Sequence, residues 1–234
     1  MKLEMAALIA FAIGLSVAPV ASHAGAYSGA MSGHEMADRA DTSYVAVGYA
    51  VAPVPLALGG RDRSLVGLGS YLVNVVGECN GCHSAGPATE YAPGGNPYFK
   101  GSPPQVVNQS TYLGGGRAFG PQIPGRTPNI VSRNLTPDRT GRPAGGRTLA
   151  EFREIMRTGV DLDHLHPNCA DPTVVNSATC FPASQPFNGD LLQIMPWTAY
   201  QKMTDLEIRA IYEYLSAIPC VAGPDTGVLH NNCI

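Results

Sequence analysis

Three segments of the chain carry apolar residues at the spacing of an α-helix. The first lies just before a pair of cysteines, and its apolar residues recur every three or four positions along one face: Leu65, Leu68, Leu72 and Val75. Ser64 is a suitable N-cap, and Gly77 marks the end of the pattern. The pattern predicts an amphipathic helix that begins near Ser64 and ends near Gly77.

The second helical segment reads TLAEFREIMRTG. Thr148 and Glu151 form a capping box, in which each side chain satisfies a backbone N–H of the other residue, and Gly159 is a typical helix stop. The predicted buried stripe consists of Leu149, Phe152 and Ile155 or Met156.

The third segment, TDLEIRAIYEYLSAIP, repeats the capping box with Thr204 and Glu207. One face is apolar and consists of Ile208, Ile211, Leu215 and Ile218. Pro219 cannot continue a helix, so the helix is predicted to close there.

Long stretches dominated by turn residues separate these helices, and no run shows strand alternation over several residues. The chain of 234 residues is 44% apolar and 14% charged, with 27 Gly and 20 Pro. It is therefore too apolar for a disordered protein, and it is long enough for one sizeable domain. Because long structureless loops are uncommon in a compact domain, these loops are expected to wrap a large apolar group that is not protein.

The N-terminus has the features of a secretory signal. Lys2 precedes an apolar run over residues 6–20, and small residues follow, which predicts a signal peptide over residues 1–24 with cleavage after Ala24 or Ala26. The alternative is an uncleaved membrane anchor, although the apolar run is short for a span. No later stretch suits a membrane span. Residues 25–60 lack sustained periodicity and are predicted to be a flexible lead-in, although residues 45–58 are apolar enough to lie against the domain.

The stretch GECNGCHSAG contains Cys79, Cys82 and His83 in the pattern C-x-x-C-H. This pattern is typical of covalent haem attachment: two thiols bond to the vinyl groups of the porphyrin, and the adjacent imidazole ligates the iron. A thioredoxin-like redox pair would need a βαβ context, a structural zinc site would need more ligands, and a disulfide between the two cysteines is sterically awkward. One copy of the motif predicts one covalently bound haem c.

The remaining four cysteines are Cys169, Cys180, Cys220 and Cys233. Export to an oxidising compartment would favour disulfides, and four cysteines allow three connectivities. The pairing of neighbours in sequence, Cys169–Cys180 and Cys220–Cys233, is the one we expect. The first pair lies just before Met195, which suggests the hypothesis that its disulfide stiffens the loop carrying that methionine.

Over Arg63 to Pro219 the chain resembles the cytochrome c family in its single-haem bacterial form, and it is similar to cytochrome subunits of periplasmic dehydrogenases. The resemblance rests on GLGSYLVNVVGECNGCH, TPNIVSRNLTPD, TLAEFREIMRTG and IMPWTAYQKMTDLEIRAIYEYLSAIP, which occur in the order of the family. It implies an all-α fold, with cytochrome c-like helices and long ordered loops around one covalently attached haem. The implied domain covers residues 61–219, followed by a disulfide-closed tail over residues 220–234.

The resemblance also implies the second axial ligand, a methionine shortly before the last helix. Met195, followed by Pro196, is in that place. The rivals are Met156 and Met203, for which packing is the simpler role, and the loop residues His164 and His166, since bis-histidine haem is stable.

Further residues of the haem site follow from the resemblance or from charge. The carbonyl of Pro128 is expected to accept the second ring N–H of His83, and Trp197 is expected to line the haem edge. Gly69 is expected to let the first helix approach the last one near Tyr212. Between residues 117 and 157, eight arginines and three acidic residues give a local charge of +5, and Arg126 and Arg157 are the candidates for binding the haem propionates.

These features predict an electron carrier with His83 and Met195 as axial ligands, since a neutral thioether raises the reduction potential. Its partners would be redox proteins, namely a periplasmic dehydrogenase or other donor and an oxidase or another cytochrome, in the periplasm or another exported location. No dense basic run suggests nucleic acid. The alternative is a haem enzyme with an open or displaceable sixth ligand, oxidising a sulfur compound or reducing peroxide, with Asp163, His164 or His166 as acid–base groups. A third hypothesis is a ligand sensor or a structural subunit of a larger complex.

Overall fold

The computed structural model describes residues 33–101, 105–169, 178–224, 231 and 233, with the backbone alone for residues 33–41. The predicted signal peptide and its cleavage sites lie outside the described residues. None of the helices in the described ranges is long and apolar enough to cross a membrane.

The first predicted helix is present as α2, Arg63–Tyr71, and continues into a π-helical turn, Leu72–Val76. Its N-cap is Asp62, not Ser64, because the Asp62 carboxylate accepts hydrogen bonds from the backbone N–H groups of Ser64 and Leu65 at 2.8 and 3.3 Å. The π-turn adds a residue to the helical repeat, so the phase of the stripe shifts. Val73 is therefore buried, whereas Val75, predicted to face the core, is 48% exposed.

The two predicted capping boxes are confirmed. Thr148 caps α6, Leu149–Thr158, which ends at Gly159 in the left-handed conformation, with Phe152 and Met156 buried. Thr204 caps α8, Asp205–Leu215, in the same way. Helix α8 ends four residues before Pro219: Ser216 is its C-cap, and Ile218 is buried beyond the helix.

Helix α2 lies between α1, Gly33–Val51, and α8, and glycines permit both contacts. A Cβ on Gly67 would lie 2.8 Å from the carbonyl oxygen of Val45 in α1, and a Cβ on Gly69 would overlap the carbonyl oxygen of Ala210 in α8. The predicted close approach at Gly69 is therefore confirmed, but it occurs at Ala210 and Tyr214 instead of Tyr212.

The lead-in is not simply flexible as predicted, because α1 occupies much of it. Gly48 is buried against α2, and its carbonyl oxygen accepts a hydrogen bond from the Ser70 hydroxyl at 2.7 Å. The apolar, uncharged stretch after residue 42 explains this packing: it covers the outer face of α2.

The remaining elements are short. They are α3, Cys79–His83; α4, Pro87–Glu90; α5, Pro143–Gly146; α7, Trp197–Tyr200; and the antiparallel strands β1, Ala118–Pro121, and β2, Asn129–Val131. The hairpin was not predicted, since its strands are too short to show alternation. The described residues thus combine helices with a small sheet, and the cytochrome c-like all-α fold stays a prediction.

Both expected disulfides are present, Cys169–Cys180 and Cys220–Cys233. The second joins two residues of the tail that follows the core residue Ile218. The pairing of sequence neighbours is therefore confirmed, and Cys79 and Cys82 remain free thiols.

Candidate functional site

A cavity of about 250 Å³ lies between the segment from α2 to α3 and the loops around residues 130–135, 160–166 and 191–196. Most of the residues that line it are apolar, including Leu72, Val73, Phe119, Ile130, Phe152 and Met156. Cys79, Cys82, His83 and Met195 all line the same cavity. The structure therefore brings together the two predicted anchors and both predicted axial ligands.

The cysteine motif forms the one-turn helix α3. Residues three and four apart lie on one side of a helical turn, so Cys79, Cys82 and His83 face the cavity together. Glu78, directly before the turn, has a left-handed backbone (φ 44°, ψ 43°), which redirects the chain from the π-turn into α3. Burial, with a smaller contribution from the neighbouring Cys82, raises the pKa of Cys79 to about 12, so its sulfur is a neutral thiol.

His83 is held by the backbone of Arg133. Its Nδ1 lies 2.7 Å from the Arg133 carbonyl oxygen, and a carbonyl can only accept, so Nδ1 carries the proton and Nε2 keeps its lone pair. Burial lowers the pKa of His83, and the imidazole is neutral. This is the form of histidine that ligates a metal.

The acceptor was predicted to be Pro128, and that assignment is wrong. Pro128 lies just before β2, whereas the segment reaches His83 only at Arg133, after β2. Gly115, which precedes β1, also donates its N–H to the His83 carbonyl at 2.8 Å. The hairpin, which the sequence did not reveal, accounts for the shift of five residues along the segment TPNIVSR.

Met195 lies in a loop that is held in place by backbone hydrogen bonds to a neighbouring segment. Leu192 donates its N–H to the Gly159 carbonyl at 2.7 Å, and Val160 pairs with Leu191. Ile194 has a left-handed backbone (φ 69°), and it directly precedes the half-buried Met195.

Trp197 supports this loop instead of lining the cavity, as had been expected. Its ring covers Gly159, where a Cβ would overlap the indole, and its Nε1–H donates to the Leu192 carbonyl at 3.2 Å. Trp197 thus connects the end of α6 to the loop segment that precedes Met195.

The two arginines proposed for the propionates point elsewhere. Arg126 is exposed near the hairpin turn, and Arg157 donates to the carbonyls of Gln201 and Met203 and pairs with Asp205 at 2.9 Å. Neither lines the cavity. Composition could identify an arginine-rich region, but only the fold determines which guanidinium faces inward.

Arg133 and Arg147 line the cavity in their place. Arg133 pairs with the buried Asp161 at 2.6 Å and with Asp163, and Arg147 also pairs with Asp163. Because the Arg133 carbonyl holds His83, this one residue connects the two sides of the cavity through its backbone and its side chain.

The rival ligands divide into two groups. Met156, Met203 and His166 line the cavity, whereas His164 is exposed and is not among the lining residues. Burial lowers the pKa of His166, and its Nδ1 lies 3.1 Å from the Thr179 carbonyl oxygen. Within the described residues, no group of three or more His, Cys, Asp or Glu side chains is arranged to hold a metal ion.

A comparison with known proteins finds a distant relative. The chain is similar to the fructose dehydrogenase cytochrome subunit of Gluconobacter japonicus. The two are 26% identical over 153 residues, which cover 65% of this chain and 21% of that protein. The chain thus spans about a fifth of the length of this relative. No family model matches, and no solved structure matches.

This similarity suggests a c-type cytochrome and is consistent with a haem cofactor and with electron transfer in general. The relative is a subunit of a dehydrogenase, which is consistent with redox partners. Together with the two disulfides, it is also consistent with an exported protein.

Proposed function

We propose that this protein transfers single electrons through one haem c, bound covalently by Cys79 and Cys82 and ligated by His83 and Met195. The observation that carries the proposal is that these four side chains line one largely apolar cavity. Two of them are free thiols one helical turn apart, and a free thiol is the group that can form a thioether with a vinyl group.

The other two residues suit an iron with both axial positions filled. The proton of His83 stays on Nδ1, where it is donated in a hydrogen bond to the Arg133 carbonyl, so Nε2 keeps its lone pair. Met195 offers a neutral sulfur, which favours the ferrous state and raises the reduction potential. The haem would supply the one-electron chemistry, and the chain supplies ligands and a cavity with few polar groups.

The partners follow from this role. The protein would take electrons from a periplasmic dehydrogenase or another donor and pass them to an oxidase or another cytochrome. The relative, a cytochrome subunit of fructose dehydrogenase, supports a dehydrogenase as the donor, and this chain could itself be a subunit of such an enzyme. The periplasm or another exported location fits its disulfides.

A second function is supported by the position of His166. This imidazole, whose pKa is lowered by burial, lines the cavity together with Met195 and Asp163. If Met195 left the iron readily, the site could act as a haem enzyme with His166 as an acid–base group. Alternatively, His166 could itself serve as the sixth ligand.

Two matched variants separate these functions. For an electron carrier, Met195→Leu abolishes the thioether–iron absorption band of the ferric protein and lowers the reduction potential, whereas His166→Phe leaves both nearly unchanged. The measurement is a ferric absorption spectrum with a redox titration. An unchanged band in Met195→Leu contradicts the assignment of Met195, and rapid binding of carbon monoxide or cyanide by the unmutated protein at neutral pH favours the enzyme.

A further inference from the structure

The C-terminal tail folds back onto the segment that holds His83. We use the name C-terminal clip for the described tail residues 220–224, 231 and 233, whose ends are joined by the Cys220–Cys233 disulfide. The clip lies beyond the last helix, and it has no part in the proposed electron transfer.

The clip makes buried polar contacts with the residues that follow Arg133. The Asn134 side-chain amide donates to the Val221 carbonyl at 2.8 Å, and the Val221 N–H donates to the Thr136 hydroxyl at 3.0 Å. Asn231 donates from Nδ2 to the Thr136 carbonyl at 2.9 Å and to Asn134 Oδ1 at 3.2 Å. Thr136 is fully buried, and Asn134 and Asn231 are 5% and 6% exposed. Because buried polar groups are costly when unpaired, these bonds fix the tail to this segment.

The clip also covers the neighbouring stretch of glycines. A Cβ on Gly114 would lie 2.8 Å from Val221 Cγ1, and a Cβ on Gly116 would press against the ring of Pro224. These glycines belong to the stretch that pairs with the Arg133 segment, since Gly116 N–H donates to the Ser132 carbonyl at 2.9 Å and Leu135 N–H to the Leu113 carbonyl at 2.9 Å. The clip therefore packs on both of the stretches that support His83.

The clip contacts begin one residue after Arg133, the residue whose carbonyl holds His83. The Arg133 carbonyl accepts the Nδ1 proton of His83, and the next side chain, Asn134, is bonded to Val221 and Asn231. A rotation of the peptide group between Arg133 and Asn134 would break the bond to His83. The side-chain amide of Asn231 donates to oxygens of both Asn134 and Thr136, so it holds these two residues in one arrangement.

From this geometry we propose that the C-terminal clip fixes the Arg133 carbonyl and thereby preserves its hydrogen bond with the Nδ1–H of His83, which orients the ring, with Asn231 as a positioning residue. This inference deepens the proposed function and rests on it. The clip acts through the backbone of Arg133.

The test is the exchange rate of the His83 Nδ1 proton, measured by NMR on the full-length, haem-loaded ferrous protein. Asn231→Asp places a carboxylate against acceptor oxygens, and it should speed this exchange about tenfold relative to the backbone amides of α8, as expected for one lost buried hydrogen bond. Asn129→Asp makes the same chemical change at an exposed position of β2. It should leave unchanged the ratio of the His83 Nδ1 exchange rate to the exchange rates of the α8 amides. The reduction potential should shift in Asn231→Asp and not in Asn129→Asp.

A second pair of variants keeps the proposal falsifiable if Asn231→Asp fails to fold. Replacing Cys220 and Cys233 together by Ser should raise the same ratio, whereas replacing Cys169 and Cys180 together by Ser should not. If the His83 proton and the α8 amides exchange faster by the same factor, the clip only adds global stability, and the proposal is overturned. If neither exchange rate changes, the proposal is overturned as well. The mass of each preparation reports separately whether haem is attached, so a failure of the proposed function is distinguished from a failure of the clip.

Discussion

The two walls of the cavity are built by different means. On the wall that carries His83, backbone and side-chain hydrogen bonds hold the motif directly: Arg133 accepts from the His83 ring, Gly115 donates to the His83 carbonyl, and Asn80 Oδ1 accepts the N–H of Leu113 at 2.9 Å. On the wall that carries Met195, the thioether is only a weak acceptor, so the loop around it must be held instead. That loop depends on Gly159, Leu192 and Trp197.

This difference explains why one wall could be identified from the sequence more firmly than the other. Cys79, Cys82 and His83 fit on one helical turn, so their spacing in the sequence is also their arrangement in space. Met195 reaches the cavity through contacts between segments that are about 30 residues apart, such as Val160 with Leu191. Its assignment therefore relied on resemblance and position.

The largest loss of stability should come from disrupting the packing of α2 on α8, behind the His83 wall. In Gly69→Ala the new Cβ overlaps the carbonyl oxygen of Ala210, so α2 and α8 must separate. We expect the free energy of unfolding to fall by about 2–3 kcal/mol, the usual cost of overpacking between rigid elements. Chemical denaturation of the purified protein measures it.

Gly81→Ala is the matched control for this prediction. A Cβ at Gly81 meets Glu90 Oε1 at 3.7 Å, which is an ordinary contact, so the stability should change by less than about 1 kcal/mol. Equal losses in the two variants would show that the contact between α2 and α8 is not as close as the structure has it.

A smaller effect is expected on the Met195 wall. Trp197→Phe removes the hydrogen bond to the Leu192 carbonyl and leaves part of the ring over Gly159, so the unfolding free energy should fall by about 1–2 kcal/mol. The loop around Met195 should open more often, and carbon monoxide should bind the ferrous protein faster than it binds the unmutated protein. Stopped-flow mixing measures that rate. An unchanged rate alongside reduced stability would mean that Trp197 supports the fold without restraining Met195.

The disulfide Cys169–Cys180 belongs to the Met195 wall by its contacts. Asn168, next to Cys169, accepts the N–H of Gly189 at 3.1 Å, and Gly189 leads into the loop that carries Met195. These contacts support the hypothesis that this disulfide stiffens the loop, whereas Cys220–Cys233 stands behind the His83 wall. The two disulfides thus support opposite sides of the cavity.

Features encoded within a few residues were predicted well. The capping boxes of α6 and α8 and the stop at Gly159 depend on side chains that reach only their own helix turn, and all three are present. The end of α8 was predicted too late, because Pro219 prevents a helix from continuing but does not require it to extend that far. The helix ends earlier, at the C-cap Ser216, and the next residue, Ala217, donates its N–H to the Tyr214 carbonyl only three residues back, at 2.9 Å.

Features that depend on tertiary contacts were predicted poorly. Helix α1 gains its stability from packing on α2, so the segment alone showed no periodicity that would indicate a helix. The acceptor for His83 shifted from Pro128 to Arg133 because of a hairpin with strands of four and three residues. Arg126 and Arg157 do not line the cavity for a related reason, since the orientation of a long side chain is set by partners far away in the sequence, such as Asp205 for Arg157.

The most direct test of the central claim is the mass of the intact mature protein, made in cells with haem-attachment machinery and unfolded before measurement. The account predicts one additional haem that survives denaturation, together with a red protein, and loss of that mass when Cys79 and Cys82 are both replaced by Ser. A colourless chain with the mass of the polypeptide alone, or a haem mass that persists in the double variant, would contradict it.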